Sequence, residues 1–178
     1  VSDIRRFTLD KWEERGTRTS IMRLYMGNAG SQIHILEVSE GTYVTAHRHG
    51  AGAHVIVVDG EGYELLFMPG EEMSAEKRQK VPVKPYGVIA PRLNEFHQHF
   101  NTGKGPFRQL AFKGWDPSAN ITDSKGRYDP VGAAKSDNPY GSSYKLRYDR
   151  EDPAVRVEYY RELEKSGVTL RLPPLDQG

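Results

Sequence analysis

Residues 41–60 read GTYVTAHRHGAGAHVIVVDG, and the prediction of the fold starts from this stretch. It contains two short β-rich runs, Thr42–His47 and Ala53–Val58. It ends in Asp59-Gly60, a dipeptide that is among the strongest short-range signals for a β-hairpin. A further β-rich run, Tyr63–Met68, follows directly. The stretch therefore predicts three short strands joined by turns.

The same alternation of short runs and turn residues continues on both sides of this stretch. The remaining runs are Gln32–Val38, Lys80–Val83, Gly87–Ala90, Glu95–Phe100 and Phe107–Lys113. About eight short strands with regularly spaced turn signals are typical of a closed β-barrel or jelly roll. We therefore predict a mainly β fold, with the barrel over residues 31–115.

The two flanks of the predicted barrel differ from it. Residues 1–30 form an N-terminal extension in which Thr8–Arg15 is predicted as a short helix. Residues 116–178 begin as a polar arm rich in Gly, Pro, Asn, Ser and Tyr and then enter a predicted helix over Ala154–Lys165, with Gly167 just beyond its end. We expect this arm and helix to pack on the barrel or on a partner subunit.

The composition disfavours several classes of protein. The 178 residues include 25 Lys and Arg against 24 Asp and Glu, with no basic stripe of the kind that nucleic-acid-binding proteins carry. No apolar run approaches the roughly 20 residues of a membrane span, and no secretory-type apolar segment follows the first residues, so we expect a cytoplasmic protein. With no cysteine, the candidate metal ligands narrow to His, Asp and Glu.

Five of the six histidines fall in two clusters. His47, His49 and His54 form the first cluster, and His97 and His99 form the second. Residues i and i+2 of a strand share a face, so the members of each His-x-His pair can point into one cavity. Because imidazole is a good ligand for iron, zinc, nickel and copper, the two clusters predict a metal site.

The first cluster resembles the first motif of the cupin superfamily. That motif has Gly, five residues, His-x-His, three or four residues, Glu, six residues and Gly. Here Gly41 is followed after five residues by His47 and His49. Counting four residues onward puts His54 in the glutamate position, with Gly60 one residue early.

The second cluster resembles the second cupin motif, which has Pro, a glycine two residues later, His, and Asn four residues after it. Pro91 here precedes His97 by six residues instead of five, Leu93 stands at the glycine position, and Asn101 follows His97 by four. The resemblance, which covers residues 41–113, implies a cupin-type double-stranded β-helix. We interpret Asn101 as a residue that holds a strand turn together through its side chain.

By this resemblance the metal ligands are His47, His49 and His97, with His54 as a fourth candidate. Residues 96–101, FHQHFN, are also similar to the Trp-His-x-His-x-Asn stretch of gentisate-type ring-cleaving dioxygenases, in which the first histidine is the ligand. His99 would then lie beside the metal as a donor, a substrate anchor or a catalytic proton-transfer residue, or would be a packed barrel histidine. Whether His54 or His99 completes the metal shell is left open by the sequence.

Three further residues are candidates for substrate contact. Arg92 lies near the predicted barrel mouth, where it could clamp a substrate carboxylate bidentately or remain a solvated loop arginine. Tyr43 and Thr45 share strand parity with His47, so they would line the cavity if that strand is regular.

These residues predict a metal-dependent enzyme with one divalent ion per chain, Fe(II) being favoured and Zn, Mn, Co or Ni being alternatives. The first hypothesis is a mononuclear non-haem iron dioxygenase acting on a small aromatic or organic-acid substrate. A second is a non-redox decarboxylase, isomerase or lyase with His99 as acid or base. A third is a small-ligand-binding module without catalysis. We expect a homodimer with a small-molecule substrate, and neither a nucleic-acid nor a membrane partner.

Overall fold

The computed structural model describes residues 2–11, 19–24, 32–49, 53–113 and 143–172. These residues contain eleven β-strands and one α-helix. The strands are β1 (Asp10–Lys11), β2 (Thr19–Leu24), β3 (Gln32–Val38), β4 (His47–His49), β5 (Ala53–Asp59), β6 (Gly62–Phe67), β7 (Gln79–Val83), β8 (Val88–Ile89), β9 (Phe96–Asn101), β10 (Phe107–Lys113) and β11 (Ser143–Lys145). The helix α1 is Pro153–Ser166.

The strands form two antiparallel sheets. The first sheet has the order β1-β2-β3-β10-β5-β8, and the second has the order β11-β4-β9-β6-β7. From β3 onward the chain crosses repeatedly from one sheet to the other, so the two sheets close over a common interior. The predicted mainly β, cupin-type barrel with a C-terminal helix is thereby confirmed.

The N-terminal flank differs from its prediction. Within the predicted helix Thr8–Arg15, residues Asp10 and Lys11 are instead extended and pair antiparallel with β2, while residues 12–15 lie outside the described residues. Backbone hydrogen bonding to a neighbouring strand readily overrides a weak helix propensity. Because β2 pairs with β3, residues assigned to an N-terminal extension add two strands to the first sheet.

The turn at Asp59-Gly60 forms, but the predicted hairpin does not. Gly60 has a φ of +80°, and its amide donates to the Asp59 carboxylate at 2.9 Å. The turn passes the chain from one sheet to the other, because β5 pairs with β10 and β8 whereas β6 pairs with β7 and β9. The Asp-Gly signal therefore predicts the turn correctly and the strand pairing wrongly.

The C-terminal helix covers the outer face of the second sheet. Asp152 caps its first turn by accepting a hydrogen bond from the amide of Ala154 at 2.9 Å, and Gly167 ends it with a φ of 67°. Three buried residues spaced four apart form its apolar stripe, and with strand residues they build one cluster: Tyr43, Tyr63, Leu65, Phe100, Val155, Tyr159, Leu163 and Val168. The helix thus packs on the barrel of its own chain. In the described part of the chain, no helix is long and apolar enough to cross a membrane.

Strands β6 and β9 approach closely at Gly62. A Cβ atom at this position would lie 1.9 Å from the carbonyl oxygen of Phe100. No side chain fits there unless the two strands move apart. Two residues further along β6, Glu64 lies directly opposite His99, so this close approach brings that pair together inside the barrel.

Candidate metal centre

Three histidines converge inside the barrel. His47 on β4 lies directly opposite His97 on β9, and His99 follows two residues later on the same face of β9. Their ligand nitrogens all lie within 4.8 Å of one another, and all three side chains are buried. The ring centroids of His47 and His97 are 4.1 Å apart, and that of His99 lies 5.6 and 5.7 Å from these two.

Backbone carbonyls fix the rings of two of these histidines. Nδ1 of His47 lies 3.3 Å from the carbonyl oxygen of Thr45, and Nδ1 of His97 lies 3.1 Å from that of Glu95. A carbonyl oxygen can only accept a hydrogen bond, so Nδ1 carries the proton in each ring. Nε2 is then the unprotonated nitrogen that can bind a metal, which is the usual arrangement of a ligating histidine.

A carboxylate holds the third histidine in the same way. Nδ1 of His99 lies 2.8 and 2.6 Å from the two oxygens of Glu64, whose side chain is completely buried. Gln109, on β10 of the opposite sheet, donates its amide to Glu64 at 2.7 Å. Glu64 is therefore held between two donors, one from each sheet.

Glu64 and Gln109 are absent from the sequence-based set of site residues. The available signal was a single charge inside an apolar strand, since Glu64 stands between Tyr63 and Leu65 in a run that the sequence correctly predicts as a strand. Glu64 shares its strand face with Leu66, so apolar residues lie on both faces of this strand, and a charge buried on either face needs a partner. The identity of that partner depends on strand register, which the sequence does not show.

The donor set fits a divalent metal ion. Three neutral imidazoles with their Nδ1 atoms anchored are suited to iron, zinc, copper, nickel and related ions. The buried carboxylate of Glu64 adds one negative charge behind His99. The group His47, His97 and His99 could therefore hold a metal ion.

The predicted ligands are distributed differently from the expectation. His47 and His97 belong to the group, and His99, expected beside the metal, belongs to it as well. The side chain of His49 lies outside the described residues. His54 is exposed on β5, on the face away from the interior, because the buried residues of that strand are its alternate positions Ala53, Val55 and Val57.

A different count of the motif explains the position of His54. Three residues lie between His49 and Ala53, and six residues lie between Ala53 and Gly60; Ala53 is buried at 5% exposure. Both spacings allowed by the first cupin motif are then met without an early glycine. The glutamate position of the motif is thus held in this chain by Ala53, which offers no ligand atom.

Tyr43 does not line the interior. Its ring stacks on Phe100 at 4.6 Å on the outer face of the second sheet, and its hydroxyl donates to Glu151. The pairing changes between Tyr43–Phe100 and His47–His97 by one residue, as at a β-bulge, and this extra residue breaks the parity on which the expectation rested.

The other two candidate substrate residues have identifiable neighbours. Thr45 is buried, and its carbonyl oxygen is the acceptor for His47. The side chain of Arg92 is 74% exposed and lies 3.4 Å from the carboxylate of Glu95, so it is largely solvated in this structure. Arg92 lies in the loop that leads into β9.

The outer face of β9 carries its own polar group. Gln98, which lies between His97 and His99 in sequence but on the opposite face, donates to Glu151 at 3.0 Å. Burial raises the pKa of Glu151 to about 7, although the hydrogen bonds from Tyr43 and Gln98 act in the opposite direction. The strand of the candidate ligands is thus tied to the segment before α1.

The chain matches no protein-family model and no curated protein sequence. Among solved structures, it is similar to a cupin 2 conserved barrel domain protein from Rhodopseudomonas palustris, with 23% identity, coverage of 60% of this chain and 68% of that one, and a TM-score of 0.47. A predicted oxalate decarboxylase from Thermotoga maritima has 19% identity, coverage of 56% and 83%, and a TM-score of 0.46. Peruvianin-I, a cysteine peptidase from Thevetia peruviana latex, has 12% identity, coverage of 66% and 73%, and a TM-score of 0.51.

At these identities the similarity concerns the fold alone. The strand order and the site define the class of protein more directly. The molecule is a cupin-type β-barrel with a buried group of three histidines that could hold a metal ion.

Proposed function

We propose that this protein is a mononuclear metal-dependent enzyme, and specifically a non-haem iron dioxygenase that acts on a small aromatic or organic-acid substrate. The observation that carries the proposal is the group of three buried histidines whose Nδ1 atoms are all held by oxygen acceptors. Such anchoring prepares three Nε2 atoms for one ion at the point where the sheets face each other. A passive pocket has no need for so many buried polar groups.

The residues of the chain have separate roles in this proposal. His47, His97 and His99 bind the ion through Nε2, and the carbonyls of Thr45 and Glu95 keep two of the rings in place. Fe(II), when bound there, would supply the redox chemistry of the proposed reaction.

In this proposal the substrate packs against small apolar side chains of the facing sheet. Ala53, Val55 and Ala111 form a cluster of small buried side chains on β5 and β10. Ala111 lies two residues beyond Gln109 on the inward face of β10, and Gln109 reaches Glu64 beside the histidines. Because these side chains are buried and apolar, they would shield a substrate bound against them from water.

The proposal is tested by the metal content and the oxygen consumption of the purified protein. The protein is purified without oxygen, analysed for metals, loaded with Fe(II) and screened for oxygen uptake with phenolic and keto acids. We expect close to one iron per chain and oxygen uptake that depends on a substrate. His54→Ala serves as a matched control, because this exposed histidine should be dispensable for metal binding and uptake.

Two results would contradict the proposal in different ways. A protein that binds one metal per chain but turns over substrates without oxygen would be a decarboxylase, isomerase or lyase. A protein that binds no metal even after reconstitution would be a binding module, and the histidines would then serve another purpose.

A further inference from the structure

We propose that Glu64 is a positioning residue of the metal centre, which supplies from behind His99 the negative charge that Ala53 cannot provide. The inference rests on the proposed metal-dependent function and concerns how this chain completes its site. It follows from the burial of Glu64, from its two partners and from the residue at the glutamate position of the first motif.

The burial of Glu64 requires a positive charge nearby. Its side chain is 1% exposed inside the barrel. Within the described ranges, the basic side chain beside it is His99, and no ion pair joins it to a lysine or arginine. An ionised carboxylate in such a place is costly unless it is both paired and hydrogen-bonded. A divalent ion on Nε2 of His99 places the needed positive charge on the far side of the same ring.

Both partners of Glu64 donate hydrogen bonds to it. His99 presents Nδ1 to it, and Gln109 turns its amide nitrogen toward it. In doing so, Gln109 leaves its own buried Oε1 without a hydrogen-bond partner among the described residues. Both neighbours are thus oriented to donate, which is the arrangement that a carboxylate behind a ligating histidine requires.

The position of Glu64 compensates for the residue at Ala53. Ala53 is buried on β5 but has no atom that can bind a metal, so the three histidines alone are a neutral ligand set. Glu64 lies on the next strand of the chain, directly opposite His99 in the register of β6 and β9. The carboxylate has in effect moved from direct contact with the ion to a position behind one of its ligands.

The first experiment compares metal affinity in the wild type and in Glu64→Gln. Zn²⁺ binding is measured by isothermal titration calorimetry, and the visible absorption of the Co²⁺-loaded protein reports the ligand field. We expect the variant to bind Zn²⁺ about 10–100-fold more weakly, which is typical when the outer partner of a ligating histidine is removed. The Co²⁺ spectrum should shift as well, because the anchoring of His99 changes.

The matched control is Glu37→Gln. Glu37 lies on β3, is largely covered, and accepts a hydrogen bond from Nε of Arg108 at 2.8 Å, away from the histidines. It loses the same charge, so its Zn²⁺ affinity should stay within about twofold of the wild type. Circular dichroism of each metal-free variant establishes that it is folded.

A rescue variant sharpens the test. In the double variant Glu64→Gln with Ala53→Glu, a carboxylate returns at the position where the first cupin motif has one. Part of the lost Zn²⁺ affinity should return with it. If Glu64→Gln does not fold, Glu64→Asp replaces it, since a shorter side chain keeps the charge but draws the carboxylate away from Nδ1 of His99. The affinity should again fall.

The outcomes separate this inference from the proposed function. A wild type that binds Zn²⁺ or Co²⁺ together with a folded Glu64→Gln or Glu64→Asp variant of unchanged affinity and spectrum would overturn the role of Glu64 alone. A wild type that binds neither ion would overturn the metal-dependent function itself.

Discussion

The two faces of strand β9 differ although every residue of the strand is buried. The inward face carries His97, His99 and Asn101, which are polar and make specific hydrogen bonds. The outward face carries Phe96 and Phe100, which stack on other aromatic rings. The inward side chains of β9 therefore contribute to the candidate metal centre, whereas its outward aromatic side chains contribute to packing. Substitutions two residues apart should have effects of the same kind, and substitutions of neighbouring residues should have different effects.

The outward face is packed for stability. Phe100 is fully buried between the rings of Tyr43 and Tyr63, at centroid distances of 4.6 and 4.4 Å. Tyr159 of α1 adds a third ring at 5.5 Å. On the inward side of the second sheet, Glu64 of β6, His99 of β9 and the other polar groups bury polar or charged atoms instead of apolar surface. They therefore add less to the stability of the fold.

The largest expected effect is the loss of metal from the inward face in His97→Ala. Removing one of three ligands should weaken binding by more than the roughly 10–100-fold that an outer partner contributes, so the purified variant should contain almost no metal. Gln98→Ala, which alters the opposite face of the same strand, should keep nearly stoichiometric metal. Elemental analysis measures the metal content of both variants. Metal loss in both of them would contradict the expectation that only the inward face of β9 is needed for metal binding.

A smaller but substantial effect is expected on the outward face in Phe100→Ala. Truncating a fully buried phenylalanine typically lowers the free energy of unfolding by about 3–5 kcal/mol, because a cavity replaces its ring contacts. Urea denaturation followed by circular dichroism measures the change. The folded fraction should still bind metal, and a variant of unchanged stability that has lost its metal would contradict this division of roles.

The smallest of the three expected effects is a pH dependence of the free energy of unfolding that arises from Glu151, which lies on the outward side of β9 beside Gln98. Its pKa of about 7 in the folded protein exceeds its usual 4.5, chiefly because it is buried and despite Tyr43, Gln98, Arg156 and Arg78, which lower it. The folded state therefore retains a proton that the unfolded chain releases. The contribution to stability is fully present below about pH 4.5 and is lost as the pH rises through 7, by about 3 kcal/mol in all.

Glu151→Gln tests this pH dependence. The variant cannot ionise, so this part of the decline in unfolding free energy between about pH 4.5 and 7 should disappear, while the side-chain amide oxygen can still accept from Tyr43. Urea denaturation at several pH values measures the slope. A variant that keeps the slope of the wild type would show that another group is responsible.

Much of the fold and part of the site could be predicted from local pattern. The runs of β-rich residues predict most of the strands of the barrel, and the predicted helix Ala154–Lys165 differs from α1 by one residue at each end. The spacing of His47 and His97 led to the expectation that they meet, and the structure brings them together. Asn101 holds the turn after β9, as expected, through bonds to the backbone of Val38, Gly103 and Gly105.

The remaining features depend on register and on long-range pairing. A difference of one residue in the motif count puts His54 in place of Ala53, and along a strand such a difference exchanges the inside for the outside. The extra residue between Tyr43 and His47 reverses the parity in the same way. The contact of Glu64 with Gln109 joins residues of two sheets, so no local pattern encodes it.

The absence of a side chain at Gly62 has a consequence for how this site can evolve. The three atoms nearest to an added Cβ at Gly62 all belong to the backbone of β9, so any side chain would push β6 away from β9 and separate Glu64 from His99. Many surface residues of the barrel could be exchanged without such an effect. A single substitution at Gly62 would disrupt the candidate metal centre, although Gly62 lies two residues away from Glu64. The candidate metal centre therefore depends on a residue that has no side chain of its own.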